Sequence, residues 1–285
     1  MKIRLFYLSL WMLLFSCVIA QQKIIIGFDN RYGNFDRSYK AFSKITTLIN
    51  SLSEHTWEVK IYENQTELIN GLTNGEIQVA KLSPLVYATS KLEKPIKAIA
   101  LGNNAKGQPY YFSSIIVHKN SGIKNLRQLE NKKIAFGSVY SASSFLIAFL
   151  YLDQIGLDLA SLNFDFLGSQ TKIVLEILDG KYDGGAIRSD LLEKVRPGTL
   201  IELYKSTPIP ESPLVINTNM SPDVKNLIIE DLTKFDSWIE SHPDESKNIE
   251  SDFRYGLTFD VDEDIFTPLR MAQTKFQQIK RKIKH

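Results

Sequence analysis

Short β-branched runs alternate along most of the chain with longer stretches in which apolar residues recur at helical spacing. Strands are predicted at Lys23 to Phe28, Trp57 to Tyr62, Ile77 to Leu82, Ile96 to Leu101, Ser114 to His118, Lys133 to Phe136, Asn163 to Phe166, Gly184 to Ile187 and Leu200 to Tyr204. Helices are predicted between them at Asp36 to Leu52, Gln65 to Thr73, Leu126 to Glu130, Ser143 to Gln154, Thr171 to Asp179 and Asp190 to Val195. Gly156 and Gly180 stand where a left-handed residue stops a helix. The alternation is that of an α/β protein with largely parallel sheets. After Pro213 the pattern turns helical, with long stretches at Pro222 to Glu240 and Asp264 to Lys282. One sheet holding every predicted strand is large for the chain, so the pattern favours two α/β lobes with a cleft between them. No internal repeat, low-complexity tract or Pro- or Gly-rich linker separates the lobes, which leaves strands or tight crossings as the connection.

The first twenty residues stand outside this alternation. Lys2 and Arg4 precede an apolar run from Leu5 to Ile19, and the first polar pair after it is Gln21-Gln22. This reads as an export signal over residues 1–20, because the run is shorter than the roughly 20 apolar residues of a spanning helix. Two processing sites compete. Cleavage after Val18-Ile19-Ala20 yields a free exported protein, whereas Leu14-Phe15-Ser16-Cys17 resembles a lipoprotein box that leaves the chain tethered through Cys17. Bulky Phe15 and the apolar Val18-Ile19 weigh toward the first. Either way the chain works outside the cytoplasm.

Processing changes the meaning of the composition. The full chain has 34 Lys and Arg against 32 Asp and Glu, a formal charge of +2. Loss of residues 1–20 removes Lys2 and Arg4 and no acid, so the mature chain is formally neutral; it also loses Cys17, the only cysteine. Disulfides, thiolate catalysis and cysteine-based metal sites are thereby excluded from the mature form. With no basic surplus and no long basic block, a nucleic-acid partner is excluded as well. The basic tail from Lys275 through Lys284 reads as a solvated helix end favoured by the helix dipole.

Catalytic signatures are missing. The chain has no Walker loop, no Gly-x-Gly-x-x-Gly after a strand, no Gly-x-Ser-x-Gly elbow and no His-Glu-x-x-His. His55, His118, His242 and His285 lack ligand spacing, so no metal and no cofactor is expected, and no nucleophile with its base is visible. One segment does carry chemistry. Ile134-Ala135-Phe136-Gly137-Ser138-Val139-Tyr140-Ser141-Ala142-Ser143-Ser144 reads as a strand, a turn of small residues and the start of an apolar helix. Free backbone N–H groups at such a helix start, with hydroxyls from Ser141, Ser143 and Ser144, make an anion site without net positive charge. The alternative is that one serine only caps the helix.

Taken with other segments in order, this turn resembles the phosphonate, phosphite and phosphate substrate-binding proteins of ABC importers, the PhnD-like periplasmic family. The matching segments are Lys23 to Gly27, Asn74 to Pro84 with Tyr87, Pro109-Tyr110-Tyr111-Phe112-Ser113 leading to Ser121-Gly122-Ile123, and Leu126 to Gly137 with the serine turn. They continue with Gly168-Ser169-Gln170, Gly180 to Ala186, and Ser206-Thr207-Pro208-Ile209-Pro210 with Pro213. The resemblance implies a type II periplasmic-binding-protein fold whose lobes close on a ligand about a hinge. On this chain lobe 1 is residues 21–112 plus 212–285 and lobe 2 is residues 113–211. It implies reversible binding of a small phosphorus oxyanion or organophosphonate, delivery to an ABC permease, and no turnover. A periplasmic sensor subunit reporting to a membrane histidine kinase, or a binder of a non-phosphorus anion, is the rival reading.

The family's serine turn usually reads Ser-Thr-Ser-Gly and cradles the phosphonate oxygens. Here Ser141 and Ser143 match, Ala142 lacks the threonine hydroxyl, and Ser144 replaces the glycine. Gln170 stands where the family often has His, and it donates to an oxyanion but never becomes cationic. Arg188 stands where an acidic or amide residue is common. It is either a bidentate oxyanion clamp at a strand end or a surface arginine paired with Asp190 or Glu193. Tyr87 and Tyr111 are the aromatic candidates for closing the cleft, with a core role as the alternative for each; Tyr140 ranks below them.

Overall fold

The computed structural model describes residues 21–30, 33–157, 162–195 and 197–283. The predicted export signal, with Cys17 and the two predicted processing sites, lies outside the described residues, as do Lys284 and His285.

The first half of the chain gives β1 (Lys23–Asp29), α1 (Phe35–Leu52), β2 (Thr56–Tyr62), α2 (Gln65–Thr73), β3 (Val79–Lys81), α3 (Pro84–Ser90), β4 (Ile96–Gly102) and β5 (Tyr110–Tyr111). Next come β6 (Ser113–His118), β7 (Lys133–Phe136), α4 (Ile147–Gln154), β8 (Asn163–Phe166), α5 (Gln170–Leu178), β9 (Gly184–Arg188), α6 (Ser189–Leu192), β10 (Leu200–Lys205) and β11 (Ile209–Pro210). The chain ends with β12 (Pro213–Asn217), α7 (Pro222–Ser241), β13 (Leu257–Phe259) and α8 (Thr267–Ile283). Leu126–Leu129, predicted as helix, is a single 3₁₀ turn.

Helix starts follow capping chemistry. Asn34 and Asn64 accept hydrogen bonds from the first-turn N–H groups of α1 and α2, and Ser83, Ser169 and Ser221 do so for α3, α5 and α7. Pro84 and Pro222 open α3 and α7, where a missing N–H costs nothing.

Two sheets result. One has six strands in the order β13-β4-β12-β3-β1-β2, the other five in the order β10-β6-β9-β7-β8. The expectation of largely parallel sheets needs correction. β1 is parallel to β2 and β3, and β7 to β8 and β9, but β12 runs antiparallel to both β3 and β4, β13 to β4, and β6 to both β9 and β10. The cause lies in the route of the chain. It passes from the first sheet to the second through β5 and returns through β11, and these two pair antiparallel as a small ribbon. The returning strand β12 enters the first sheet against the direction of its neighbours and slots between β3 and β4. Its apolar run Leu214-Val215-Ile216 is buried on both faces. A strand so short, opened by a proline, left no alternation in the sequence.

The last helix lies across both sheets' helices. Just before it, Phe266 packs edge-on against Tyr87 of α3 at 4.7 Å. Further along it, Phe276 meets Phe145 and Phe149 at 5.2 and 5.6 Å, and the Lys275 ammonium lies 2.9 Å from Asp153. A single buried cluster accordingly runs from Leu82, Tyr87 and Leu101 to Phe136, Phe149 and Leu152. Among the described residues no helix is long and apolar enough to cross a membrane.

Candidate functional site

A cavity of about 840 Å³ opens where the two sheets meet at the β5–β11 ribbon. Its floor carries Lys81, Tyr111, Gln170, Arg188, Glu211 and Asp252. These groups arrive on strand ends: Lys81 closes β3, Arg188 closes β9, and Tyr111 and Glu211 sit on or beside the ribbon. Open α/β sheets bind ligands at the carboxyl ends of their strands, and here both sheets present that edge to one space.

Arg188 holds the centre of the floor. Its Nε donates to Asp190 at 2.9 Å, Nη1 donates to one Glu211 oxygen at 3.0 Å, and Nη2 donates to the other. The guanidinium also stacks on the Tyr111 ring, 4.1 Å from its centroid. Burial pulls the arginine pKa down, but the hydrogen bond and charge of Glu211, with Asp190, outweigh it and hold the group above its ordinary value. Arg188 therefore stays charged. The two sequence readings of this residue partly merge: it does line the cavity, and its fork is already filled by carboxylates, Asp190 as foreseen and Glu211 rather than Glu193.

Tyr111 is buried between this pair and the serine turn. Burial pushes its phenol up against the opposing pull of the Arg188 charge, so the hydroxyl remains neutral. The Ser143 side chain lies beside that phenol. Gln170 also lines the cavity, and its Oε1 accepts the backbone N–H of Arg188 at 2.7 Å, which leaves the amide NH₂ as the group it offers.

The serine turn is wider than an ordinary helix start. Ala142–Leu146 is a π-helical turn in which the Leu146 N–H reaches back to Ser141 O at 3.0 Å. Ser141 Oγ accepts from the Ser144 N–H at 3.1 Å and from the Ser144 hydroxyl at 2.7 Å. Ser141 is thus a cap, and the Ser144 hydroxyl is turned inward rather than offered to a ligand. The fit is tight: a Cβ on Gly137 would stand 2.1 Å from Ser144 Oγ. The Ser113 hydroxyl ties the turn to β6 by donating to Ser143 O at 2.6 Å. Ala142 and Ser143 are buried, and no hydrogen bond from the backbone N–H of either is found among the described residues.

Of the predicted residues, Tyr111, Gln170 and Arg188 line the cavity, and Ser143 joins it through Tyr111. Ser141 and Ala142 lie behind them in the turn. Tyr87 does not belong. It is fully buried under α8, where its hydroxyl donates to Glu263 at 2.6 Å and accepts the Ala98 N–H at 2.9 Å. Burial, then the Glu263 bond, raises its pKa. This tyrosine is a core residue with its polar tip satisfied. Sequence reasoning missed Lys81, Glu211 and Asp252. A lysine inside the apolar run Val79-Ala80-Lys81-Leu82 was a readable flag; Asp252 carried none, since only folding brings it to β3.

A family model described as the periplasmic substrate-binding protein of phosphonate ABC transporters matches residues 34–256. The chain belongs to that family. Among solved structures, PhnD1 from Prochlorococcus marinus in complex with methylphosphonate superposes with a TM-score of 0.70 at 16% identity, covering 90% of this chain and 98% of the other. XAC2383 from Xanthomonas citri bound to ATP gives 0.67 at 14%, over 92% and 99%. The aliphatic sulphonate binding protein SsuA from Escherichia coli gives 0.64 at 14%, over 91% and 93%. At such identities the likeness is one of fold, the periplasmic-binding-protein fold. Family membership makes the chain an extracytoplasmic solute-binding component that captures a small phosphorus oxyanion or organophosphonate for an ABC importer. The sensor-kinase reading finds no support in it.

Proposed function

We propose that the oxyanion binds between the start of the π-turn and the cavity floor. The observation that supports this is that the N–H groups of the buried residues Ala142 and Ser143 have no acceptor among the described residues, while the Ser143 side chain lies beside the Tyr111 phenol. The turn's N–H groups and the Ser143 hydroxyl take up the oxygens, Tyr111 and the Gln170 amide complete the shell, and Arg188 fixes Tyr111 by stacking on it. Helix-start donors suit an anion because the dipole favours negative charge there. Residues 21–112 plus 212–285 and residues 113–211 act as the two lobes, closing over the ligand about the β5–β11 ribbon. The protein has no turnover and hands its ligand to the membrane permease. Residues 1–20 direct export, with cleavage after Ala20 or lipidation at Cys17.

Titration calorimetry on the mature chain with phosphate, phosphite, methylphosphonate, 2-aminoethylphosphonate, an alkanesulfonate and ATP tests the reading. At least one of the first four gives saturable heat. Silence from all four overturns phosphorus binding, and heat from the sulfonate or ATP alone moves the ligand class.

A further inference from the structure

Lys81 is 3% exposed, at the carboxyl end of an interior strand, and it lines the same cavity as Arg188. Lysine is almost never buried this deeply without a partner. Its ammonium lies 2.5 Å from Asp252 and over the Phe253 ring at 5.8 Å. The two members of this pair are not held alike. The Lys81 side chain is 2% exposed, that of Asp252 21%. The Asp252 backbone is pinned, because Gly102 packs so closely that a Cβ there would meet Asp252 O at 2.4 Å. Its carboxylate therefore reaches water more readily than the lysine does. Lys81 and Asp252 line the cavity together with Tyr111.

We infer that Lys81 is a ligand-binding and specificity residue of the first sheet, with Asp252 as the internal anion that occupies its ammonium until an oxyanion replaces it. The inference rests on the proposed function of this cavity. Exchange of one anion for another keeps the buried ammonium paired throughout, which avoids the desolvation cost of a lone charge. On the second sheet's side the proposed site has backbone donors while Arg188 is already paired with carboxylates, so Lys81 gives the ligand a charged partner from the opposite wall. It selects strongly accepting oxyanions, those able to displace a carboxylate, over neutral or weakly accepting solutes.

The test uses calorimetry with methylphosphonate, phosphite and phosphate, and thermal melting of the same samples. K81M alone removes the Lys81 partner of the Asp252 carboxylate, so the informative variant is K81M/D252N, which removes both charges. This double variant melts close to the wild type and binds about tenfold more weakly or worse. D252N alone removes the competing carboxylate and binds about threefold tighter. K81R retains more affinity than K81M. Binding by K81M/D252N within about twofold of the wild type overturns the inference and leaves the site reading standing. Loss of affinity in D252N as large as in K81M makes the pair a structural unit and also overturns it. No heat from the wild type with any of the three or with 2-aminoethylphosphonate overturns the site reading and this inference together.

Discussion

Arg188 shows how one side chain can answer two sequence readings at once. The strand ending at Ile187 predicted a cation at the cleft, and the cation is there, but Glu211 and Asp190 fill its donors. Removing only the arginine leaves the 8%-exposed Glu211 carboxylate buried without its counter-ion. Arg188→Met is therefore expected to cost about 3 kcal/mol of stability, whereas R188M/E211Q recovers most of it. Urea unfolding of the three proteins measures this, and equal midpoints for R188M and the double variant would show that the pair is not a buried unit. The sequence displayed Arg188, Gln170 and the serine turn because each sits next to a strand or helix end with a recognisable pattern. It did not separate Tyr87 from Tyr111. Both lie in apolar surroundings, and their difference is set by Glu263 and by Arg188, residues brought to them only by the fold. Polar partners distant in sequence decide whether a buried tyrosine is a core residue or a ligand donor.

Elements with their own periodicity were legible, and those that exist only through their neighbours were not. β1, β2, β7, α1 and α7 appear within a residue or two of their predicted ends, since each has an apolar pattern of its own, whereas the last helix starts at Thr267 rather than Asp264, after a 3₁₀ turn. β12 and β13 are held by strands from elsewhere in the chain, and the ribbon strands are two residues each, too short for any pattern. The π-turn is a further case: a capping serine was only the alternative reading of that segment, and the widened register was in neither. What enforces the register is Gly137 lying against Ser144, with Gly137 N donating to Ser144 O at 3.0 Å. Gly137→Ala should collide with Ser144 Oγ and destabilise the protein by about 1 to 3 kcal/mol. Adding Ser144→Gly removes the colliding atoms and restores most of the melting temperature. A G137A variant as stable as the wild type would show that the turn has room to spare, and that the close approach does not define it.

At the scale of the molecule, charge was legible and connectivity was not. Residues 21–285 carry no net formal charge and so offer no diffuse positive field with which to gather an anion; the proposed site relies instead on local helix donors and buried cations. The helical pattern after Pro213 was correct for α7 and α8, yet nothing in it said that α8 would span both sheets. That placement bears on how the protein unfolds. Two α/β lobes joined by two short crossings would ordinarily melt as separate units. Here Phe276 sits among Phe145 and Phe149, Phe266 sits on Tyr87, and the buried cluster is continuous from one sheet's helices to the other's. Loss of either half exposes the face that α8 covers on the other, which couples the two. Scanning calorimetry of the unliganded mature chain should therefore give one transition with matching calorimetric and van't Hoff enthalpies. Phe276→Ala opens a cavity in the shared cluster and is expected to cost about 3 kcal/mol. Because it weakens the shared cluster, it should also broaden or split that transition, whereas a core truncation confined to one sheet, such as Ile45→Ala, lowers the midpoint and keeps a single peak. Two resolved transitions in the wild type would mean that α8 bridges the sheets without coupling them.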